Sequence, residues 1–383
     1  MAVRVVILRG HQANPWELAP WTEPPVRERF DVSYLRTRRQ WFDTSKLDLE
    51  SRLTLTLRDL LPPGRLGDLA VRVPGDRYLG LASALRGADI VHAQELGYWY
   101  SMQAARLKSR LGFRLVLTVW ETIPFIDAYR NARTRAYRRR TLEATDLFLA
   151  STERARAALL LEGAPAERIR VSPPGVALDR FQAAARSPDT RPGVIVSPGR
   201  LVWEKGHQDV LRAVALLRRE RPELAQPRVV IVGRGPEEAR LRAYAAELGI
   251  GDAVELRGFV PYEEMPSLYA GAACIVLASL SVWSWEEQFG MVLAEAMATG
   301  TPIIASSSGA IPEVAGGAAT LFAPGDWISL AGHIARALDS TDSNPNTAAC
   351  ELAAVYSTRA AARRLSDAYD GLLNRSAWPM IST

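Results

Sequence analysis

Cysteine, histidine and lysine are all scarce in this chain of 383 residues. Two cysteines, Cys274 and Cys350, exclude a disulfide framework and a four-thiolate zinc site. The four histidines, His11, His92, His207 and His333, lie far apart, and neither HExxH nor CxxC occurs. No metal seat is therefore expected. No run of about 18 apolar residues exists, so no transmembrane helix is expected. The opening MAVRVVILRG has no charged segment leading into a long apolar stretch, which argues against a signal peptide. The expected location is the cytoplasm.

Lysine appears three times, as Lys46, Lys108 and Lys205, against 44 arginines. The plain reading of that preference is a genomic base-composition bias. The formal net charge is +5, a mild excess. It suits anionic small substrates, anionic membrane surfaces or nucleic acid and selects none of them. No nucleic-acid recognition motif accompanies it, so nucleic acid is not an expected partner. With 48% hydrophobic and 23% charged residues, the chain reads as soluble and globular. Its length suggests two domains.

Short β-branched runs alternate with helical patterns from the start. Residues 3–8, 89–92, 114–119, 147–150 and 169–171 read as buried strands, with helices over 97–111, 131–143 and 154–161. A polar stretch rich in Pro and Arg at 183–193 reads as a linker. A second series follows. Strands are predicted at 194–196, 228–232, 254–256, 274–277 and 302–305, with helices at 206–219, 237–248, 290–299 and 358–373. This is an α/β chain with two mostly parallel sheets, whose ligands belong at the carboxyl ends of the strands.

Four segments carry candidate chemistry. In SPGRLVWEKG at 197–206, glycines allow close backbone approach, and Arg200 and Lys205 add positive charge at a helix start. A diphosphate fits there, and so does a plain solvated loop. The turn VGRGP at 232–236 lacks a full GxGxxG and reads first as structural. At 256–260, Arg257 could stack on a nucleobase beside Phe259, or the segment is an ordinary strand end. In WEEQFGMVLAEAMATGTP at 285–302, Glu287 and Glu295 are spaced Glu-x7-Glu. Glu295 is the lone acid in an otherwise apolar helix and needs hydrogen-bond partners. Ribose hydroxyls or nearby backbone would supply them. Glu287 either reaches sugar hydroxyls or complements the helix N-terminus.

These segments together resemble retaining GT-B glycosyltransferases of the family 4 type, the glycosyl transferases group 1. The carrying motifs are GRLVWEKG at 199–206, VGRGPEE at 232–238, RGFVPYEEMPSLYA at 257–270, EQFGMVLAEAMATGTPIIAS at 287–306 and SSGAIPEV at 307–314. DIVHAQE at 89–95 and IRVSPPGVALDRF at 169–181 extend the likeness over essentially the whole chain. The resemblance implies the GT-B fold, two Rossmann-like domains facing each other across a cleft. Residues 1–186 would form the acceptor domain, 187–357 the nucleotide-sugar donor domain, and 358–383 a helix packing back on the first.

Carried over residue by residue, Arg200 and Lys205 would bind the diphosphate, Glu287 the transferred sugar and Glu295 the ribose. The amides of Gly290, Met291 and Val292 would contact sugar and phosphate, and Arg257 and Phe259 would border the base. Gly10 stands where relatives carry a glycine pair. Trp120 or Glu121 stands where many carry a histidine facing the donor sugar. The implied reaction moves a sugar from a nucleoside-diphosphate sugar to an acceptor hydroxyl with retention and without metal or other cofactor. The acceptor would be a glycan, a lipid-linked molecule or a small molecule. An epimerase, a phosphorylase or a non-catalytic sugar-nucleotide-binding partner are the competing readings.

Two further features are left with two readings each. The tryptophans of SLSVWSW at 279–285 would line a sugar pocket or form packed core. Arg130, Arg133, Arg135, Arg138, Arg139 and Arg140 form a basic cluster, either a solvated helix face or a peripheral contact with lipid headgroups at the inner membrane face.

Overall fold

The computed structural model describes residues 2–62, 64–72, 75–126, 132–184, 193–224, 226–340 and 346–374. It divides into two units, Met1–Gly175 with Thr358–Thr383, and Val176–Ser357. The division after Gly175 differs from the expected one at 186/187. Residues just past Gly175 already belong to unit 2: Val176 bridges Ser357, and Phe181 packs on Tyr262 and Tyr269 with ring centroids 5.6 and 5.7 Å away. Most of the expected linker, 185–192, lies outside the described residues.

Unit 1 holds a seven-stranded sheet of β1 (Val3–Leu8), β2 (Phe30–Arg36), β3 (Glu50–Leu53), β4 (Ile90–Gln94), β5 (Arg114–Val119), β6 (Leu147–Ala150) and β7 (Ile169–Val171), in the order β3-β2-β1-β4-β5-β6-β7. Unit 2 holds β8 (Val194–Pro198), β9 (Arg228–Val232), β10 (Val254–Gly258), β11 (Cys274–Leu277), β12 (Ile303–Ser306) and β13 (Ala319–Phe322), in the order β10-β9-β8-β11-β12-β13. Neighbouring strands in both sheets run parallel. The alternating pattern predicts the parallel sheets, and the two units are Rossmann-like, as the resemblance implies.

The central strands are continuous apolar runs because helices cover both faces. In β1, Val5 to Leu8 have no solvent exposure. One face of that sheet packs Val6, Leu8, Leu115 and Phe148, and the other packs Val5, Ile7, Val116 and Leu149 against Trp21 and the helix Thr358–Asn374. A polar chain runs through the second layer. The Trp21 indole donates to the Tyr369 hydroxyl at 3.0 Å, which lies 2.6 Å from His92 Nδ1, while His92 Nε2 meets Thr118 Oγ1 at 2.7 Å.

Within the arginine cluster, Arg138 is not a solvated cation. It is buried against Glu162, with Nε 3.0 Å from the carboxylate. Arg135, Arg139 and Arg140 are exposed, and Arg130 lies outside the described residues. Among the described residues no helix is long and apolar enough to cross a membrane. Both cysteines are free thiols.

Candidate functional site

Strand order reverses between β8 and β11 in unit 2, and such switch points open a crevice at the strand carboxyl ends. The segments leaving these two strands are 199–206 and 278–287, the ones that carry Lys205 and Glu287. They meet closely. Gly206 has φ 69°, and a Cβ there would sit 1.8 Å from the carbonyl oxygen of Ala278. The Leu280 amide donates to the Glu204 carbonyl at 2.8 Å. Glycine is required at 206 by both its backbone angle and this approach.

Lys205 and Glu287, 82 residues apart, form an ion pair of 2.6 Å. The Ser279 hydroxyl donates to the same Oε2 at 2.7 Å. Glu287 is buried, and the Ala310 amide donates to its carbonyl at 2.8 Å. Its other oxygen, Oε1, has no partner among the described residues. The Lys205 ammonium also lies 5.0 Å from the centroid of the Trp285 ring. Gly290, at φ 78°, turns the chain into the helix Met291–Thr299, which no side chain caps. The amides of Met291 and Val292, in its first turn, donate to no side-chain cap, and amides so placed favour negative charge. Arg200 is exposed and has no ion-pair partner among the described residues.

Glu295 meets neither backbone nor open solvent. Tyr262 donates to its Oε1 at 3.0 Å and Tyr269 to its Oε2 at 3.2 Å. Burial pushes its carboxyl up to about 7, against the lowering effect of the two hydroxyls. Neither tyrosine was singled out in the sequence, because nothing local links them to position 295.

His207 is a further residue that sequence reasoning missed. It is buried between the Ser197 hydroxyl, 2.9 Å from Nδ1, and the Arg200 carbonyl, 3.2 Å from Nε2. Nε2 donates to the carbonyl and Nδ1 accepts from the serine, an assignment that follows from the bonding network. Burial pushes its pKa down to about 4, so the ring is neutral and fixes the 199–206 loop to β8.

The remaining candidates are placed differently from one another. Arg257, on the edge strand β10, is held by Glu255 through contacts of 2.7 and 3.1 Å. The guanidinium over the exposed Phe259 ring belongs to Arg234 instead, at 5.4 Å. Gly10 and Glu121 belong to unit 1. Gly10 has φ 57° and its amide donates to Tyr78 at 3.0 Å. Glu121 Oε1 accepts from the amides of Thr122 and Ile123 at 3.0 and 2.9 Å. Beside it Glu95, at φ 57°, accepts from the Trp120 amide at 2.7 Å, and burial pushes its carboxyl up to about 8. Among the described residues no group of three His, Cys, Asp or Glu is arranged to hold a metal ion.

Two Rossmann-like units, with a Glu-x7-Glu pair at the switch point of the second, define a protein of the GT-B glycosyltransferase class. The glycosyl transferases group 1 model matches residues 179–351, and the Glycosyltransferase Family 4 model matches 27–180. The chain belongs to this family of glycosyltransferases.

It is 32% identical to a D-inositol 3-phosphate glycosyltransferase of Thermobispora bispora, over 75% of this chain and 71% of that one. It is 31% identical to an MMP alpha-(1->4)-mannosyltransferase of Mycolicibacterium hassiacum, over 77% of this chain and 71% of that one. Among solved structures it resembles Anabaena HepE in complex with UDP, with a TM-score of 0.74 and 18% identity, covering 96% of this chain and 100% of that one.

Proposed function

We propose that the chain transfers a hexosyl group from a nucleoside-diphosphate sugar to an acceptor hydroxyl, with retention of configuration and without a metal. The observation that carries this reading is the Lys205–Glu287 pair held at the β8/β11 switch point. A nucleoside diphosphate gains negative charge as its bond to the sugar breaks. The Lys205 ammonium and the amides of Met291 and Val292 would bind that charge, with Arg200 beside them. Glu287 would orient the sugar through its open Oε1, since Oε2 is taken by Lys205 and Ser279. Glu295 would take ribose hydroxyls on the lone pairs its tyrosines leave. The sugar turns oxocarbenium-like, the acceptor hydroxyl attacks from the face the phosphate leaves, and the departing phosphate takes its proton.

UDP and UDP-glucose are the first ligands to try, because HepE has been solved with each. The acceptor, whether glycan, lipid-linked or small molecule, would dock on unit 1.

A thermal-shift screen against UDP, GDP, ADP and their sugars, with and without EDTA, tests the reading. One nucleotide should raise the melting temperature regardless of EDTA, and Lys205→Ala should remove most of that rise. Absence of stabilisation by every nucleotide in a folded sample, or stabilisation that EDTA abolishes, would overturn it.

A further inference from the structure

In the segment 279–285, Trp285 makes a contact of its own with the lysine loop. Val282 and Trp285 pair in a tight antiparallel bridge, with the Val282 amide donating to the Trp285 carbonyl at 2.8 Å and the reverse bond at 3.2 Å. This small hairpin is tied to the lysine loop by the bond from Leu280 to Glu204, and to the following loop by Ser281 Oγ donating to Ser308 Oγ at 3.1 Å. Trp285 is thereby fixed, half-buried, with its ring toward the Lys205 ammonium at 5.0 Å, whereas Trp283 is 76% exposed.

Lysine is a flexible donor whose ordering costs rotamer entropy. Here its ammonium is in contact with both a carboxylate oxygen, at 2.6 Å, and an indole ring, at 5.0 Å from its centroid. An ammonium has three N–H donors. Glu287 Oε2 uses one, and the indole attracts the charge without supplying a lone pair to the others. The ammonium is thus confined and still has donors free for a diphosphate.

We propose that Trp285 is a positioning residue that confines the Lys205 ammonium over its ring, in reach of the donor diphosphate. The diphosphate part rests on the function proposed above; the confinement itself does not.

The scarcity of lysine supplies a direct probe. In protein carrying Lys labelled with ¹³C at Cε, three signals arise, and Lys205→Arg identifies the one that matters. Ring current should displace that signal upfield. Trp285→Leu should return it to the range of the other two, and Trp285→Phe should keep part of the displacement. An undisplaced Lys205 signal in the native protein overturns the proposal, whether or not any nucleotide binds.

Calorimetry with UDP, GDP and ADP tests the consequence. Trp285→Leu should weaken binding about five-fold, equivalent to ~1 kcal/mol for a cation–π contact of this exposure. Trp285→Phe should lose less than about two-fold, because a benzene ring still attracts the ammonium. Adding Trp285→Leu to Lys205→Met should cost nothing further, since the ring then has no cation to hold. Native affinity in a folded Trp285→Leu variant, or fully additive losses, overturns the proposal. Should Trp285→Leu not fold, the Phe variant and the native Lys205 signal decide it. If the native protein binds none of the three nucleotides, the transferase reading falls, while the NMR result still stands on its own.

Discussion

Gly206 and Gly249 form a natural controlled pair for testing whether close backbone approach positions Lys205 against Glu287. Their φ angles are 69° and 70°. A Cβ at Gly206 would lie 1.8 Å from the Ala278 carbonyl oxygen, whereas one at Gly249 would have no heavy atom within 4 Å. Gly249→Ala therefore carries only the left-handed backbone penalty, about 1–2 kcal/mol. Gly206→Ala carries the same penalty plus overpacking of about 1–3 kcal/mol or more, because a backbone carbonyl has no rotamer to adopt. At about 2–4 °C per kcal/mol for a unit of this size, its melting temperature should fall a further 2–12 °C or so.

The functional contrast should be sharper. To leave the range of impossible contacts, the 206–278 approach must widen from 1.8 Å to at least 3.0 Å. That carries Lys205 away from the 279–287 segment, and a displacement near 1 Å at a reacting centre costs on the order of 100-fold in rate. Melting curves for both variants and transfer rates with the donor found in the nucleotide screen are the assay. Equal stability losses, or full activity in a folded Gly206→Ala protein, would refute the claim that this approach positions the lysine.

Two buried titratable groups of unit 2, His207 and Glu295, should leave opposite marks on acid stability. His207 has a folded pKa of about 4, below its ordinary 6.5, so the unfolded chain binds more protons in that window and stability is lost on acidification through it. Glu295, at about 7 folded against 4.5 ordinarily, contributes stability that is full below 4.5 and lost as pH rises through 7. Relative to the native protein, Glu295→Gln should make the melting temperature climb more steeply from pH 4.5 to 7, and His207→Leu should make it climb less steeply from pH 4 to 6.5. Either variant matching the native slope would remove that group from the account. Glu95→Gln keeps the acceptor for the Trp120 amide and removes a carboxyl with a raised pKa, so its stabilising effect should grow from pH 4.5 to 8; melting curves at pH 5 and 8 check it.

Much of the sheet was legible because parallel strands buried on both faces leave uninterrupted apolar runs. β1, β5, β6, β7, β9 and β11 were read to the residue. The strands not read were β2, β3 and β13. β2 mixes Asp31, Ser33 and Arg36 into its run, and β3 and β13 are short sheet edges with exposed side chains. Motif spacing flagged Lys205 and Glu287, but it could not show that one carboxylate oxygen serves both Lys205 and Ser279, since chain topology brings them together. Tyr262 and Tyr269 escaped for the same reason: each is unremarkable locally and gains its meaning from Glu295, far along the chain. His207 directly follows the 197–206 segment, and its bonds to Ser197 and Arg200 depend on how that loop folds back. Arg257 shows the converse. A plausible stacking residue in sequence, it is engaged by Glu255 two positions away, and Arg234 takes the ring.

The route of the chain through the two units also bears on its synthesis. Unit 2 begins and ends at neighbours, because Val176 bridges Ser357, so it leaves the ribosome as one uninterrupted segment able to close its own sheet. Unit 1 is made first and finished last. Until Tyr369 emerges, the nascent β1–β7 sheet lacks the hydroxyl that bonds both Trp21 and His92. Truncation before position 358 should therefore spare the later-made half and leave the earlier-made half exposed to chaperones and proteases, an inversion of the usual order in which nascent domains mature.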